Sequence, residues 1–564
     1  MSSTGTSIRM PTTWLAVALA AATVLALVAP AGAQEPAEPP IIPRPVSLEL
    51  LPGEGFQLTR TTRIVVDVRA PDDVVDVARH LRDLLRPATG FALPVTRRSL
   101  AWEDEHGRPD TRHNQIVFAL DGDAGSLGRE GYTLDSSPHE VRIEAGTAEG
   151  LFRGLQTLRQ LLPPEIEAAT PQDGPWTVPA VSIVDYPRYE WRGAHLDVAR
   201  HFLTVEEVKR YIDLLAQYKF NRFHLHLSDD QGWRIEITSW PNLTAIGGST
   251  EVGGGPGGYF TQEDYVELVE YAAERYITVV PEIDTPGHTN AAEVSYPELN
   301  SCRPDNLPSH RLYAGSQWAN QPFYTGTGVG FSSLCVHDPV TYEFMEDVIS
   351  EIAAITPGPY FHIGGDEAYQ TPEADYVMFM DRMRDIIAAN GKTMMGWAEV
   401  ARANTLPGSI AQHWSTATGG QAGGNLARTA VAKGMKVVMS PANRVYMDMK
   451  YAPGVPPNLG LTWAGTVSVM RSYTWDPGAH IDGVTDEHVL GVEAPLWTET
   501  IANIDHAETM AYPRLAGVAE IGWTPQADRD WEEYRLRLAA QGPRWDLMGV
   551  DYYRAPDVPW PDGG

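Results

Sequence analysis

One rhythm constrains the second part of this chain more than any other feature. Short apolar runs of strand length alternate there with stretches of helical periodicity. The runs are Leu196–Val198, Phe223–Leu227, Ile277–Ile283, Tyr360–Ile363, Thr393–Trp397, Ile410–Trp414, Val437–Ser440 and Val489–Glu493. Eight runs in this order, most followed by a helical pattern, predict a closed parallel (β/α)₈ barrel. Polar and aromatic residues gather where each run ends. Arg200 and His201 follow the first, Asp229 and Asp230 the second, Asp284 to His288 the third, and Asp366 with Glu367 the fourth. Trp397, Trp414, Tyr446 with Asp448, and Trp497 with Glu499 close the series. In such a barrel the C-terminal rim of the strands holds the active site.

The residues before the barrel divide in two. Arg9 is the only charge ahead of the apolar run Trp14–Val28, and Ala31-Gly32-Ala33 has the small-x-small form of a cleavage site. This pattern predicts an export signal over residues 1–33 and a secreted, extracellular protein. Residues 34–185 are expected to form a small α+β domain. Arg63–Val68, Ile116–Leu120 and Glu140–Ala145 have strand character, and Asp72–Leu85 and Thr147–Leu162 have helical spacing. No chemical constellation lies in this domain, so its expected role is structural. Residues 186–564 are assigned to the catalytic barrel.

Charge and cysteine content narrow the partners. The formal net charge is -30, from 73 acidic and 43 basic residues. Such a surface repels nucleic acid and anionic membranes, so neither is an expected partner. The chain holds two cysteines, Cys302 and Cys335. In an exported protein an even pair predicts one disulfide. It would close a loop of about 32 residues, worth ~3–4 kcal/mol in the chain-entropy account.

Three groups of residues carry chemistry. The sharpest is His362-Ile-Gly-Gly-Asp366-Glu367. Two adjacent carboxylates at a strand end are expected to point in different directions, each with its own task. Glu367 can protonate a leaving oxygen, while Asp366 can hold a polar group of the substrate that itself acts as nucleophile. Ordinary acid–nucleophile pairs come instead from separate segments, about 5–5.5 Å apart in retaining glycosidases. The second group is Asp229, Asp230 and His288, where neighbouring carboxylates can raise the pKa of an acid. A rival reading builds a metal site from Asp229, Asp230, His224, His226 and His288, with barrel packing as the plainer account of the two strand histidines. No metal and no cofactor are expected. The third group is aromatic: Trp397, Trp414, Trp463 and Trp497 near strand ends suit the apolar faces of sugars.

Together these segments resemble the family-20 β-N-acetylhexosaminidases, especially secreted bacterial members. The resemblance rests on Leu196–His201, His224–Arg234, Pro281–His288, His362–Glu367 and Val492–Glu499. It implies exo-acting, retaining hydrolysis of terminal β-linked N-acetylhexosamine, in glycans or chitin oligomers. The substrate's 2-acetamido oxygen would be the nucleophile, through an oxazolinium-like intermediate. Glu367 then matches the acid, Asp366 the residue that orients the acetamido N–H, and Tyr446 the donor to the acetamido oxygen. Trp397, Trp414 and Trp497 match pocket walls. Arg200, Asp448 and Glu499 match residues that hold sugar hydroxyls, and Asp229 with His288 the network behind the acid. Trp463 is placed towards the leaving group. Alternatives are a disaccharide-releasing relative of the lacto-N-biosidase kind and a catalytically silent glycan-binding protein.

Overall fold

The computed structural model describes residues 38–561 except 101–113, 123, 314–316, 405–406 and 417–423. The expected export signal lies outside the described residues. Among the described residues no helix is long and apolar enough to cross a membrane.

The eight predicted runs are eight parallel strands of one closed barrel: Trp191–Asp197, Arg222–His226, Thr278–Glu282, Tyr360–His362, Thr393–Trp397, Ile410–His413, Lys436–Met439 and Val489–Ala494. Closure comes from the first strand pairing in parallel with the eighth, Trp191 opposite Gly491 and Ala194 opposite Ala494. Helices Val205–Gln217, Gln262–Ala273, Pro339–Ala354 and Glu373–Ala389 follow the first four strands. The first begins with a capping box, in which Thr204 and Glu207 satisfy each other's backbone donors. The alternation then loosens. Only a 3₁₀ turn, Ala398–Arg402, follows the fifth strand. The seventh opens into a long excursion with the short helices Ala442–Val445 and Val469–Tyr473. That excursion carries Tyr446, Asp448 and Trp463.

Inside the barrel the side chains form distinct layers. At the strand starts lies an apolar layer of Trp191, Val280, Met395, Ile410 and Val438. Above it sits a polar one, organised by two buried carboxylates. Glu282 lies 2.9 Å from His224 Nε2, 2.6 Å from His226 Nδ1 and 3.0 Å from His362 Nδ1, and accepts from Trp397 Nε1 at 2.9 Å. Glu493 accepts from Trp191 Nε1 and Gln412 Nε2 and lies beside His224 Nδ1, each at 2.8 Å. His224 and His226 are thus packed inside the barrel with carboxylate partners.

The preceding domain is a seven-stranded mixed sheet, in spatial order 47–50, 181–185, 132–136, 140–145, 115–120, 63–67 and 95–98. Helices Asp72–Thr89 and Ala148–Leu161 pack on it. The second helix is capped by Thr147, whose Oγ1 accepts from Gly150 N at 3.1 Å. Its pattern is amphipathic, yet every one of its 14 residues is buried. Its polar side faces the barrel: Arg153 donates to the carbonyls of Phe220 (3.2 Å) and Tyr276 (3.0 Å) and pairs with Glu130 (2.9 Å) and Glu149 (3.0 Å). Arg192, at the start of the first barrel strand, joins the same Glu130 carboxylate. Beside it, Lys219 Nζ and Asp185 pair at 2.9 Å, and Trp523 Nε1 donates to Asp185 at 2.8 Å. The domain is bolted to the strand-start end of the barrel, opposite the rim.

Candidate active site

The fourth strand ends at His362, and the chain then turns through Gly364 and Gly365 with φ of 71° and 100°. Side chains do not fit here: a Cβ on Gly364 would lie 1.8 Å from Asp284 Oδ1. The turn is held by Gly365 N donating to Asp284 Oδ1 (2.9 Å) and by Tyr376 Oη donating to Gly365 O (2.8 Å). Glu367 itself has φ 48°. Strand alternation therefore ends before the acidic pair, so the turn and not the strand sets where its two carboxylates point. Both approach one imidazole nitrogen: His288 Nε2 lies 3.8 Å from Asp366 Oδ2 and 3.4 Å from Glu367 Oε2.

Behind them runs a charge relay. His288 Nδ1 lies 3.1 Å from Asp229, and Asp229 in turn pairs with Arg200 Nη2 (2.8 Å) and His226 Nε2 (2.9 Å). Burial alone would lower the pKa of His288, but the carboxylates of Asp229, Asp284 and Asp366 raise it well above its ordinary value. Burial opposes ionisation of Asp229, yet Arg200 and His288 hold its pKa below the ordinary carboxylate range. Asp230 departs from its neighbour. It accepts from Asn290 N at 3.1 Å, and burial together with the Asp229 charge pushes its pKa up to about 7. Only Asp229 of the pair joins His288. Asp366 is raised to about 6 by burial, with the Glu367 charge adding to the effect and His288 opposing it.

The aromatic residues converge as well. Trp397, Tyr446 and Trp497 form one cluster with Ala442, Met449 and Val467, and Trp414 packs against it. Ring centroids are 5.6 Å apart for Trp397–Trp497, 6.0 Å for Trp414–Trp463 and 5.7 Å for Tyr446–Trp463. Arg200 lies 4.9 Å over the Trp497 ring, tied to Asp197 (3.1 Å) and Gln231 (3.1 Å). Asp448 and Glu499 are electrostatic neighbours. Burial and the Glu499 charge raise Asp448 well above the ordinary range, and burial raises Glu499 too, against the pull of Arg200. Tyr446 feels both Asp366 and Asp448, which links the acidic pair to this second set.

Several buried carboxylate oxygens in this rim make no protein hydrogen bond of ordinary geometry: Asp366 Oδ1, those of Asp448, Glu499 Oε2 and Asp284 Oδ2. Buried polar groups are normally hydrogen-bonded, so a cluster of unsatisfied ones marks where a polar ligand would bind. Aromatic walls with inward hydroxyl-binding groups suit a sugar.

Sequence reasoning held Asp284 and Asp197 inside its motifs without giving them a task, and it missed Glu399, which belongs to no motif. Asp284 holds the glycine turn. Glu399 accepts from Trp414 Nε1 at 3.0 Å and is raised to about 7 by burial and the Asp366 charge. Asp197 anchors Arg200. A carboxylate just past a strand-ending Trp was the available signal for Glu399. The glycine-rich segment Val252–Gly258 lies at the rim, pinned by Val252 N to Arg200 O and Gly253 N to Thr325 O, both 2.9 Å. Cys302 and Cys335 form the predicted disulfide, which closes a segment after the third strand. The metal reading finds ligand-like groups: Asp229 with Asp230 and His288, and His224 with Glu282 and His362, each have atoms within 4.8 Å of one another. Most of these atoms are already engaged with each other in the contacts above.

Comparison with known proteins adds a direct finding. Residues 189–526 match the family model described as glycosyl hydrolase family 20, catalytic domain, and residues 38–186 match domain 2 of the same family. A β-N-acetylhexosaminidase of Cellulomonas fimi is 41% identical over 524 residues, spanning 93% of this chain and 98% of that protein. The solved family-20 β-N-acetylhexosaminidase of Streptomyces coelicolor A3(2) superposes with a TM-score of 0.85 at 50% identity, covering 94% of this chain and all of that one. The Streptomyces plicatus N-acetyl-β-hexosaminidase, solved with Thio-NAglucal, gives 0.84 at 51% identity, covering 93% of this chain and 98% of that one.

Proposed function

The chain belongs to glycosyl hydrolase family 20 and is a glycoside hydrolase, and from that premise we propose that it is an exo-acting, retaining β-N-acetylhexosaminidase using substrate-assisted catalysis. The observation that carries this reading is that Asp366 and Glu367 are adjacent in the chain, with one oxygen of each at 3.8 Å and 3.4 Å from His288 Nε2. An ordinary retaining pair would flank the scissile bond from two sides. Two acids adjacent in the chain suit a division of labour in which the nucleophile belongs to the substrate.

In the first step the acetamido oxygen attacks the anomeric carbon while Glu367 gives its proton to the glycosidic oxygen, and that bond breaks. Asp366 Oδ1 accepts the acetamido N–H and stabilises the positive charge that develops on the oxazolinium-like intermediate. Tyr446 donates to the acetamido oxygen. Glu367, now ionised, takes a proton from water as the water attacks the anomeric carbon and the bond from that carbon to the acetamido oxygen breaks; the acid and the acetamido group are restored, and two inversions retain configuration. His288 and Asp229 hold Glu367 and Asp366 in place. Arg200, Asp448 and Glu499 take hydroxyls of the terminal sugar, and Trp397, Trp414 and Trp497 wall it. Holding the acetamido group at bonding distance supplies much of the barrier reduction.

The natural substrates are terminal β-linked N-acetylglucosamine or N-acetylgalactosamine residues, in glycans or chitin oligomers. Two mutants of the Streptomyces plicatus relative were solved with product GlcNAc, which supports this class. We also propose that the protein acts outside the cell, a reading supported by the export-signal pattern of residues 1–33 and by the disulfide. The test compares an aryl N-acetyl-β-glucosaminide with the matching aryl β-glucoside. Release from the acetamido sugar alone is expected. Equal rates would reject substrate assistance, and no release from either would reject the activity.

A further inference from the structure

The chain continues past the acid as Glu367-Ala-Tyr369-Gln370-Thr371. Tyr369 is 70% exposed and Trp463 is 53% exposed, the two most exposed aromatic side chains among the described residues. Both border the site. Trp463 packs on Trp414 and Tyr446. Tyr369 follows the acid by two residues, and its backbone N–H donates to Glu367 O at 2.6 Å. Partial burial and then the Glu367, Glu399 and Asp366 carboxylates push its phenol above the ordinary value, which places the ring within reach of the acid's own charge.

A large ring held in water two residues from the acid offers an apolar face to whatever group leaves that site. The ring is also braced from behind. It lies on Gly330, where φ is 72° and a Cβ would come within 2.2 Å of the ring. Gln370 Nε2 donates to Gly330 O at 3.2 Å, and Ser333 Oγ and Thr371 Oγ1 are 2.6 Å apart. The Cys302–Cys335 disulfide closes this same segment, and Gln231 Nε2 pins it at Gly326 O (2.8 Å). A ring fixed this way is pre-organised to stack, with little ordering left to lose on binding.

We propose that Tyr369 is a platform for the leaving-group sugar: the saccharide beyond the scissile bond stacks its C–H face on this ring, and Tyr369 thereby sets the preference for saccharide over small leaving groups. The inference rests on Glu367 being the acid that serves that leaving group. Trp463 borders the leaving group from the aromatic cluster, and the disulfide-closed segment makes the wall beneath Tyr369.

The test compares kcat/KM for N,N′-diacetylchitobiose with that for methyl N-acetyl-β-glucosaminide. Both lose a poor alkoxide leaving group, but only the first has a second sugar. Tyr369→Ala is expected to lower the chitobiose-to-methyl ratio by about fivefold to tenfold, the size of one aromatic contact. Tyr369→Phe, which keeps the ring, is expected to keep the ratio. An equal fall on both substrates would make Tyr369 a support of the acid and overturn the proposal, as would an unchanged ratio in Tyr369→Ala. A ratio lost equally in Tyr369→Phe would assign the effect to the hydroxyl and overturn stacking. If the unsubstituted protein cleaved neither substrate, the hexosaminidase reading would fall, and this inference with it.

Discussion

The two ends of the barrel bury charge in opposite ways. At the strand-start end, where the small domain docks, charges are cross-linked: Glu130 serves Arg153 and Arg192, Glu149 serves Arg153, and Glu167 serves Arg159 and Arg544. Burial disfavours ionised carboxylates there, yet the arginines hold Glu130 and Glu167 below their ordinary pKa. At the rim the balance is reversed. Asp366, Asp448, Glu499 and Glu399 are all raised, with burial leading and neighbouring carboxylates adding to it. A cleft of about 870 Å³ lies at the docked end, lined by Arg129, Glu130, Glu149, Arg188 and Asn221, and it shows the same pairing. Cavity size therefore does not single out the rim in this molecule, whereas unsatisfied buried carboxylates do.

Two substitutions should separate these ends most sharply. At the rim, Glu367→Gln removes proton transfer and leaves shape intact, so kcat is expected to fall by about 10²–10⁴-fold with a much smaller change in KM. Steady-state kinetics on the aryl glycoside reads this, and an unchanged kcat would remove Glu367 from the acid role. At the docked end, Glu130→Ala strands Arg153 and Arg192 without their shared carboxylate. Removing one partner of a buried ion network costs about 3–5 kcal/mol. A lowered thermal midpoint is expected, with kcat/KM of the folded protein little changed. A variant that melts normally but loses activity would break the contrast between a structural end and a chemical one.

How far the sequence disclosed this contrast depends on whether chemistry sat in a pattern. The barrel was legible because eight apolar runs recur with strand-ending polar residues, and Arg200, Asp229, His288, Glu367 and the tryptophans fall at those ends. Strands 132–136 and 181–185 of the small domain were not recognised, because their apolar residues sit in stretches too short to stand out. A period-two rule does not reach the acidic pair, because the strand ends at His362 and a glycine turn follows. The helix 148–161 shows a similar limit. Its polar side is real, but sequence cannot say whether water or another domain will face it. Glu399 and Tyr369 lay within two residues of recognised positions and belonged to no motif.

A smaller effect should sharpen the comparison from the rim side. Asp448 is buried with both oxygens unpaired, beside Glu499. A carboxylate whose folded pKa is raised contributes stability below its unfolded pKa, near 4, and that contribution is lost as pH rises through the folded value. At neutral pH it is a liability, as is common for site residues. Asp448→Asn is expected to raise the thermal midpoint at pH 7 by a few degrees, on the order of 1 kcal/mol, and to flatten the fall in stability above pH 4. It should also lower kcat/KM by about tenfold to a hundredfold, the loss of a charged hydrogen bond to a sugar hydroxyl. A variant less stable than the parent at pH 7 would place Asp448 with the structural charges.

A last contrast concerns the layer between the two ends. His224 and His226 are buried, which favours their neutral forms, but Glu282 overrides this and raises them to about 9 and about 10. A histidine raised above its unfolded value, near 6.5, contributes stability fully below that pH and loses it as pH rises through the folded value. The thermal midpoint should therefore decline between pH 7 and pH 10, and Glu282→Gln should remove most of that slope. A flat midpoint over this range would mean the histidines are neutral and Glu282 is satisfied by hydrogen bonds alone. Protons and a metal ion would compete for the same nitrogens, so a chelator gives the complementary reading. With the imidazoles held as protonated partners of Glu282, prolonged EDTA treatment should change neither the midpoint nor the hydrolysis of the acetamido substrate. Loss of both, restored by a divalent cation, would move this layer from the architecture of the barrel into its chemistry.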